Sequence, residues 1–326
     1  MLANQNLISF HLVERIGNKN IITWTYPTIT EEMRDYLLSK CFTLSKNSKF
    51  FCLRRNFHWI YVTQNLNDAL VIISDYCNLG KYQAFAEILM RKYLKNKNPV
   101  DLVRLYLDGN LSGGCSIQDN GNLISCNLKN FKQQTKVQEL VENFGIETIL
   151  LYTSLLLKRR TLVYCDDLEK LQEKMMSIAS LVSCRNLKDL FLPYIENWSD
   201  LKGYSFYLAG TTDETLIKKD HLYDLFVNLH LKEIFISERT KDVFNMTKIQ
   251  KNIANFLVEA LETKICEEDF HKDLDKQTNN ILKTLRTMAN NNSNLITIDD
   301  LKSKNLNKNL ENFLFNLGVA ENIVML

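Results

Sequence analysis

Residues 145 to 236 constrain the fold of this chain more than any other stretch, because they twice feed a helix-length segment into a short strand pattern. From Glu147 to Leu157 apolar residues are dense enough for a fully buried helix. Lys158-Arg159-Arg160 then follows, placing cations where the C-terminal carbonyls of that helix attract them. Thr161-Leu-Val-Tyr164 changes the period. It is β-branched and aromatic with no polar face, which predicts a strand buried on both sides. Asp166 or Asp167 is positioned to cap a second helix, Leu168 to Val182. Leu168, Leu171, Met175, Ile178 and Leu181 recur there at helical spacing and lay one apolar stripe on the sheet. Tyr204 to Leu208 and Leu225 to Ile236 supply further strand-like runs.

Upstream, residues 7 to 14 and 20 to 26 read as two strands joined by turn residues at 17 to 20. Thr30 with Glu31 and Glu32 behind it gives a cap and an acidic first turn for a helix that buries Met33, Leu37, Leu38 and Cys41. Phe50 to Arg54, Phe57 to Val62 and Leu70 to Ser74 predict three more strands. Leu79 to Leu94 predicts a helix carrying Tyr82, Phe85, Ala86, Leu89 and Tyr93 on one side. Hairpin, helix, three strands, helix is the order of a longin-type domain. Pro99 marks a break, and after a helix from about Val100 to Leu107 the segment Asp108 to Gly121 gathers four glycines, which predicts an inter-lobe linker. Beyond Ile236 the pattern is helical, at Val243 to Thr263, Leu274 to Met288 and Leu310 to Leu317, with 289 to 293 as a separator.

A helix ending in a basic pair, an apolar strand and an amphipathic helix, followed by Leu192-Pro193-Tyr194-Ile195, resembles the central module of DENN-domain proteins. Ala209-Gly210, read as a glycine turn, and the runs Asp224 to Leu229 and Glu233 to Ile236 look like the strands that close that module. Lys81-Tyr82, Ala84-Phe85, Ile88-Leu89, Arg91, Tyr93-Leu94-Lys95, Pro99-Val100, Phe144-Gly145, Glu147-Thr148 and Glu311 to Leu314 extend the similarity over nearly the whole chain. The resemblance implies a two-lobe α/β architecture: a longin-like lobe at 1–98, a linker at 99–136, a central DENN module at 137–237 and a C-terminal helical segment at 238–326. It also implies a function. DENN proteins as a class promote GDP release from small Rab-type GTPases, which requires no catalytic acid, base or metal. The alternative it implies is a non-catalytic subunit or adaptor in an endosomal recycling assembly of the Commander type, with COMMD and coiled-coil subunits as partners. Either role places the chain in the cytoplasm, peripheral on late endosomes, with membrane association only through partners.

The residues read alone agree with a binding protein. Forty basic against 38 acidic side chains leave a formal charge of +2, so no global field draws the chain to nucleic acid or anionic lipid. Eight cysteines, none in a C-x-x-C pair and none with histidine at finger spacing, read as reduced structural thiols. The first four residues lack the start of an export signal, the last four offer no prenylation cysteine, and the longest uncharged apolar run, Thr148 to Leu157, is too short to cross a bilayer. Sequons at Asn197, Asn245 and Asn291 read as by-products of an asparagine-rich composition.

No chemistry-bearing motif is complete. Gly80-Lys81 lacks the upstream glycine and following hydroxyl of a phosphate loop, and Gly109, Gly113 and Gly114 do not open a helix. The five histidines are scattered, with no metal-ligand pattern at i+4, and no nucleophile elbow occurs. No cofactor, metal or catalytic residue is therefore expected. Arg91, Lys92, Lys95 and Lys97 at a helix end read as macrodipole compensation on a solvated face. Arg54, Arg55 and Trp59 are the candidate partner contact, because arginine beside an aromatic on a hairpin is the composition found at the energetic centre of interfaces.

Overall fold

The first unit is built on a five-stranded antiparallel sheet of order β2-β1-β5-β4-β3, formed by β1 (Leu7–Ile16), β2 (Lys19–Tyr26), β3 (Phe50–Arg55), β4 (His58–Gln64) and β5 (Asp68–Ser74). The computed structural model describes residues 7–43, 49–131, 135–185, 190–202, 205–288 and 295–324. Tyr204, the sequon at Asn291, the separator 289–293, the first four residues and the last two lie outside them. Chain packing divides the molecule in two: residues up to 134 with 167–169 form one unit, and 135–166 with 170–326 form the other.

In the first unit every predicted strand is present. β4 and β5 are buried almost throughout, which is why their sequences are apolar without alternation. Between β2 and β3 lies α1 (Glu31–Lys40). Thr30 caps it by accepting the Met33 N–H, and Leu37 is buried while Met33 and Leu38 are half-buried. After β5 comes α2 (Leu79–Asn96), capped by Asn78. Tyr82, Phe85, Ala86, Leu89 and Tyr93 are all buried, as the spacing predicts. The Asn78 side chain accepts the Lys81 N–H at 3.0 Å.

The glycine-rich segment expected to be a linker is ordered structure. Its helix, α3 (Pro99–Ser112), runs to Ser112 before Gly113 ends it at φ +77. Then β6 (Gly114–Asp119) and β7 (Asn122–Asn127) pair as a separate hairpin. The turn is Asn120-Gly121, both at positive φ, the dipeptide whose left-handed backbone matches the twist of two antiparallel strands. This hairpin also changes the reading of the basic end of α2. Asp119 pairs with Arg91 at 3.7 Å and Lys95 at 3.3 Å, Asp101 with Lys92 at 3.4 Å, and Asp68 with Lys97 at 2.7 Å. The cluster is a set of ion pairs between elements, not only a solvated face.

The second unit holds a mostly parallel sheet of order β12-β11-β8-β10-β9. In chain order its elements are α4 (Val137–Phe144), α5 (Thr148–Leu156), β8 (Thr161–Tyr164), α6 (Leu168–Ser180), β9 (Phe191–Ile195), β10 (Leu208–Thr211), β11 (Leu225–Asn228) and β12 (Glu233–Ile236). The helices α7 (Lys248–Glu262), α8 (Glu267–Thr287), α9 (Ile298–Ser303) and α10 (Lys308–Ala320) complete it. β8 lies between β10 and β11 and is buried along its length, as predicted, and Asp167 accepts the Glu169 N–H at the start of α6. Two expectations are corrected. Phe206 and Tyr207 precede the strand, which begins at Leu208. Gly210 is a strand residue, not a turn: a Cβ there would meet the Met175 Sδ and, at 2.9 Å, the carbonyl oxygen of Pro193, so the glycine lets α6 settle onto the sheet.

The cations after α5 also do something other than expected. The guanidinium that reaches the terminal carbonyl of Leu156 belongs to Arg185, which also pairs with Glu321. Lys158 takes φ +53 in the turn, and Arg159 reaches Asn316 on α10. Helix α7 starts five residues later than its apolar pattern suggests, because Thr247 and Gln250 form a capping box. The buried Thr247 hydroxyl of the second sequon is thereby engaged. The cysteines with described placement are all free thiols, and no described helix is long and apolar enough to cross a membrane.

Candidate functional site

The predicted contact patch lies at the tip of the β3–β4 hairpin. Arg55 opposite His58 is the last cross-strand pair, so the turn is Asn56-Phe57 and the arginines end β3 instead of occupying the turn. Both turn residues have positive φ, +49 and +68. Asparagine tolerates that conformation; a bulky phenylalanine there costs roughly 1 kcal/mol relative to glycine, because its Cβ crowds the carbonyl. Phe57 is also 77% exposed. An aromatic ring is thus held out in water at the position where a hairpin of this length most favours glycine.

The surrounding side chains fix the tip in place. Arg55 donates to Glu32 at 2.6 Å and lies over the Tyr36 ring with its guanidinium carbon 4.1 Å from the centroid; Glu32 and Tyr36 are one turn apart on α1. Arg54 lies over the Trp59 ring at 5.1 Å. On the other side His58 Nδ1 stands 2.9 Å from Asp75, and the half-exposed Tyr76 follows. Phe57 therefore caps a rim of arginine, glutamate, histidine and aspartate.

One predicted member is corrected. Trp59 is fully buried, like the rest of β4 after His58, and lies under the Arg54 guanidinium without offering surface of its own. Arg54 and Arg55 are half-buried at the rim. The feature that reading by residue type missed is the apex. Asn-Phe between two strands that leave a two-residue loop is legible once the register is known, whereas the sequence pattern begins the strand at Phe57 itself.

No group of three or more potential metal ligands assembles among the described residues. His271 Nε2 lies 3.7 Å from Glu267, one turn earlier on α8, and 3.0 Å from the Thr135 hydroxyl. That pair holds the entry to α4 and is not part of a ligand set.

The family described as "Stabilization of polarity axis" matches residues 134–238, from the approach to α4 through β12. Three curated relatives extend the similarity to nearly the whole chain. The Danio rerio DENN domain-containing protein 10 is 29% identical over 99% of each chain. Its Homo sapiens counterpart is 28% identical over 98% of this chain and 97% of its own. The Dictyostelium discoideum protein of that name is 24% identical over 97% of each.

Proposed function

We propose that this chain, which is similar to DENN domain-containing protein 10 along nearly its whole length, regulates a small Rab-type GTPase on late endosomes by favouring the nucleotide-free form and so promoting GDP release. Such exchange makes and breaks no covalent bond. A protein that binds the empty GTPase better than the loaded one weakens nucleotide binding by the same factor, and a thousandfold faster release corresponds to about 4 kcal/mol of that preference. A few well-packed interface residues supply energies of this size.

The observation that carries the reading is Phe57, exposed and held at positive φ between the pinned Arg55 and the His58–Asp75 pair. Backbone strain alone favours glycine there, which supports reading the exposed aromatic as a contact residue. The test is release of fluorescent GDP from a panel of purified Rabs. The full chain should accelerate one or a few of them, and Phe57→Gly should reduce the acceleration at least tenfold while leaving the protein as stable as before or more so. Absence of acceleration on every Rab, together with stable capture of COMMD and coiled-coil subunits, would replace exchange by the adaptor role.

A further inference from the structure

We propose that Arg160 and Arg239 together form a binding site for a single carboxylate, the aspartate or glutamate side chain of a partner protein. Arg160 immediately precedes β8, Arg239 lies in the 3-10 turn Glu238–Phe244 after β12, and Asp224 immediately precedes β11. Strand pairing brings the three to one end of the sheet, since Leu225 sits opposite both Thr161 and Ile236.

The two guanidiniums are placed by the main chain as much as by charge. Arg160 Nη2 donates to the carbonyl oxygen of His221 at 3.2 Å, and Arg239 Nη2 donates to that of Tyr223 at 2.9 Å. They share one carboxylate: Asp224 takes Arg239 Nη2 at 3.3 Å on one oxygen, and on the other it accepts the Arg160 main-chain N–H at 2.8 Å, with Arg160 Nε at 3.9 Å. That carboxylate is nearly buried, while the Arg160 and Arg239 side chains are 37% and 43% exposed.

Their hydrogen-bonding capacity is largely unspent. A guanidinium carries five N–H donors in a fixed fork. Among the described residues, Nη1 of Arg160 and both Nε and Nη1 of Arg239 meet no protein acceptor. The two cations also press on one another. The Arg160 guanidinium sits below its ordinary pKa through burial first; the Asp224 carboxylate opposes this, and the charge of Arg239 adds a smaller lowering. Asp224 offsets part of that repulsion from the buried side, and a second carboxylate on the exposed side would accept from the donors it leaves free.

Charge decides which anion. Two arginines and one aspartate carry a single net positive charge, which favours a singly charged carboxylate over a phosphate dianion. Glu238 and Asp220 on the flanking turns add negative charge, and Lys241 is already paired to Glu238 at 2.7 Å. The inference goes beyond the exchange reading, because it concerns any acidic partner.

The experiment follows the arginine Nε–Hε resonances of the full chain while N-acetylglutamate methylamide is added. In parallel arms, inorganic phosphate and phosphatidylcholine vesicles carrying phosphatidylinositol phosphates replace it. The Arg160 and Arg239 signals should move together and saturate with a Kd of about 30 mM, the scale of two exposed guanidinium–carboxylate contacts acting on one ion. Arg239→Lys keeps the charge and loses the fork, and should weaken binding about fivefold, the loss of one of the two contacts. Shifts that never saturate, that involve one arginine alone, or that persist unchanged in Arg239→Lys would reduce the pair to hydrated surface cations. Tighter binding of phosphate or of the vesicles would overturn the carboxylate assignment. The joint saturable shift in the unaltered chain decides the matter even where the variant melts early.

Discussion

Acid should weaken this fold through one histidine. His11 lies at full burial on β1, between Thr25 on β2 and Val71 on β5. Its ring nitrogens meet the hydroxyl of Ser9 at 2.9 Å and that of Thr25 at 3.3 Å. Two hydroxyls satisfy a neutral imidazole, one accepting its N–H and one donating to its bare nitrogen, but neither compensates a charge. Burial accordingly lowers its pKa from 6.5 to about 4. The sign follows from which state takes up the proton. Above pH 6.5 the ring is neutral folded and unfolded, and nothing is lost. Between 6.5 and about 4 only the unfolded chain binds the proton, so stability falls with falling pH, by about 2 kcal/mol at pH 5 and ~3 kcal/mol in all. Urea unfolding of the wild type and of His11→Gln at pH 7.5, 6 and 5 isolates this contribution, because every other titrating group is common to both. The wild type should lose about 2 kcal/mol more than the variant between pH 7.5 and 5, and the His11 ring resonances should stay those of neutral imidazole at pH 5. Parallel losses, or a ring that titrates near 6.5, would sink the argument.

Three further outcomes test the core and the tip. Val163→Asp places an unpaired carboxylate in β8 between two strands, a cost of several kcal/mol against a total stability of about 5 to 15, and should abolish soluble expression; a cooperatively melting variant would show the core misplaced. Gly210→Ala should cost about 1 to 3 kcal/mol in chemical denaturation, and a neutral result would mean that α6 yields freely. Arg55→Glu sets two carboxylates together beside α1, yet an exposed pair is worth under about 1 kcal/mol, so partner capture should fall while the melting temperature hardly moves; adding Glu32→Arg should recover the lost stability. Capture that survives, or that falls only in step with folding, would make the hairpin structural.

The strands and helices with strong periodicity were legible in the sequence because burial imposed that periodicity. β8, α2 and the face of α6 are cases where local pattern and tertiary environment agree. The misreadings share one cause, that composition was given more weight than position. Asp108 to Gly121 is rich in glycine because it holds a helix end and a tight hairpin, and Asn120-Gly121 was the signal that it is not a linker. Gly210 marks a close approach between α6 and a neighbouring strand, a relation between distant residues that no local window contains. At the candidate tip, the arginines could be read from residue type. The exposure of Phe57 and the burial of Trp59 were not legible there, because Phe57 belongs to the two-residue turn and Trp59 to a strand buried on both faces.

The reach of Arg185, five residues past α6, to both the Leu156 carbonyl at the end of α5 and Glu321 just after α10 bears on where this chain can be cut. It has companions: Tyr152 bonds Thr278 on α8 at 2.8 Å, Thr153 accepts from Gln250 on α7 at 3.0 Å, and Arg159 meets Asn316 on α10. Each of these groups lies within residues 134–238, and each partner lies after them. Excising that stretch would strand two buried hydroxyls and two guanidiniums, at about 1 to 3 kcal/mol apiece, and would strip the apolar faces of α4 and α5. The segment that sequence comparison isolates as a unit of inheritance is therefore not a unit of folding. Its autonomy ends where its hydrogen bonds do, in the last helix of the chain.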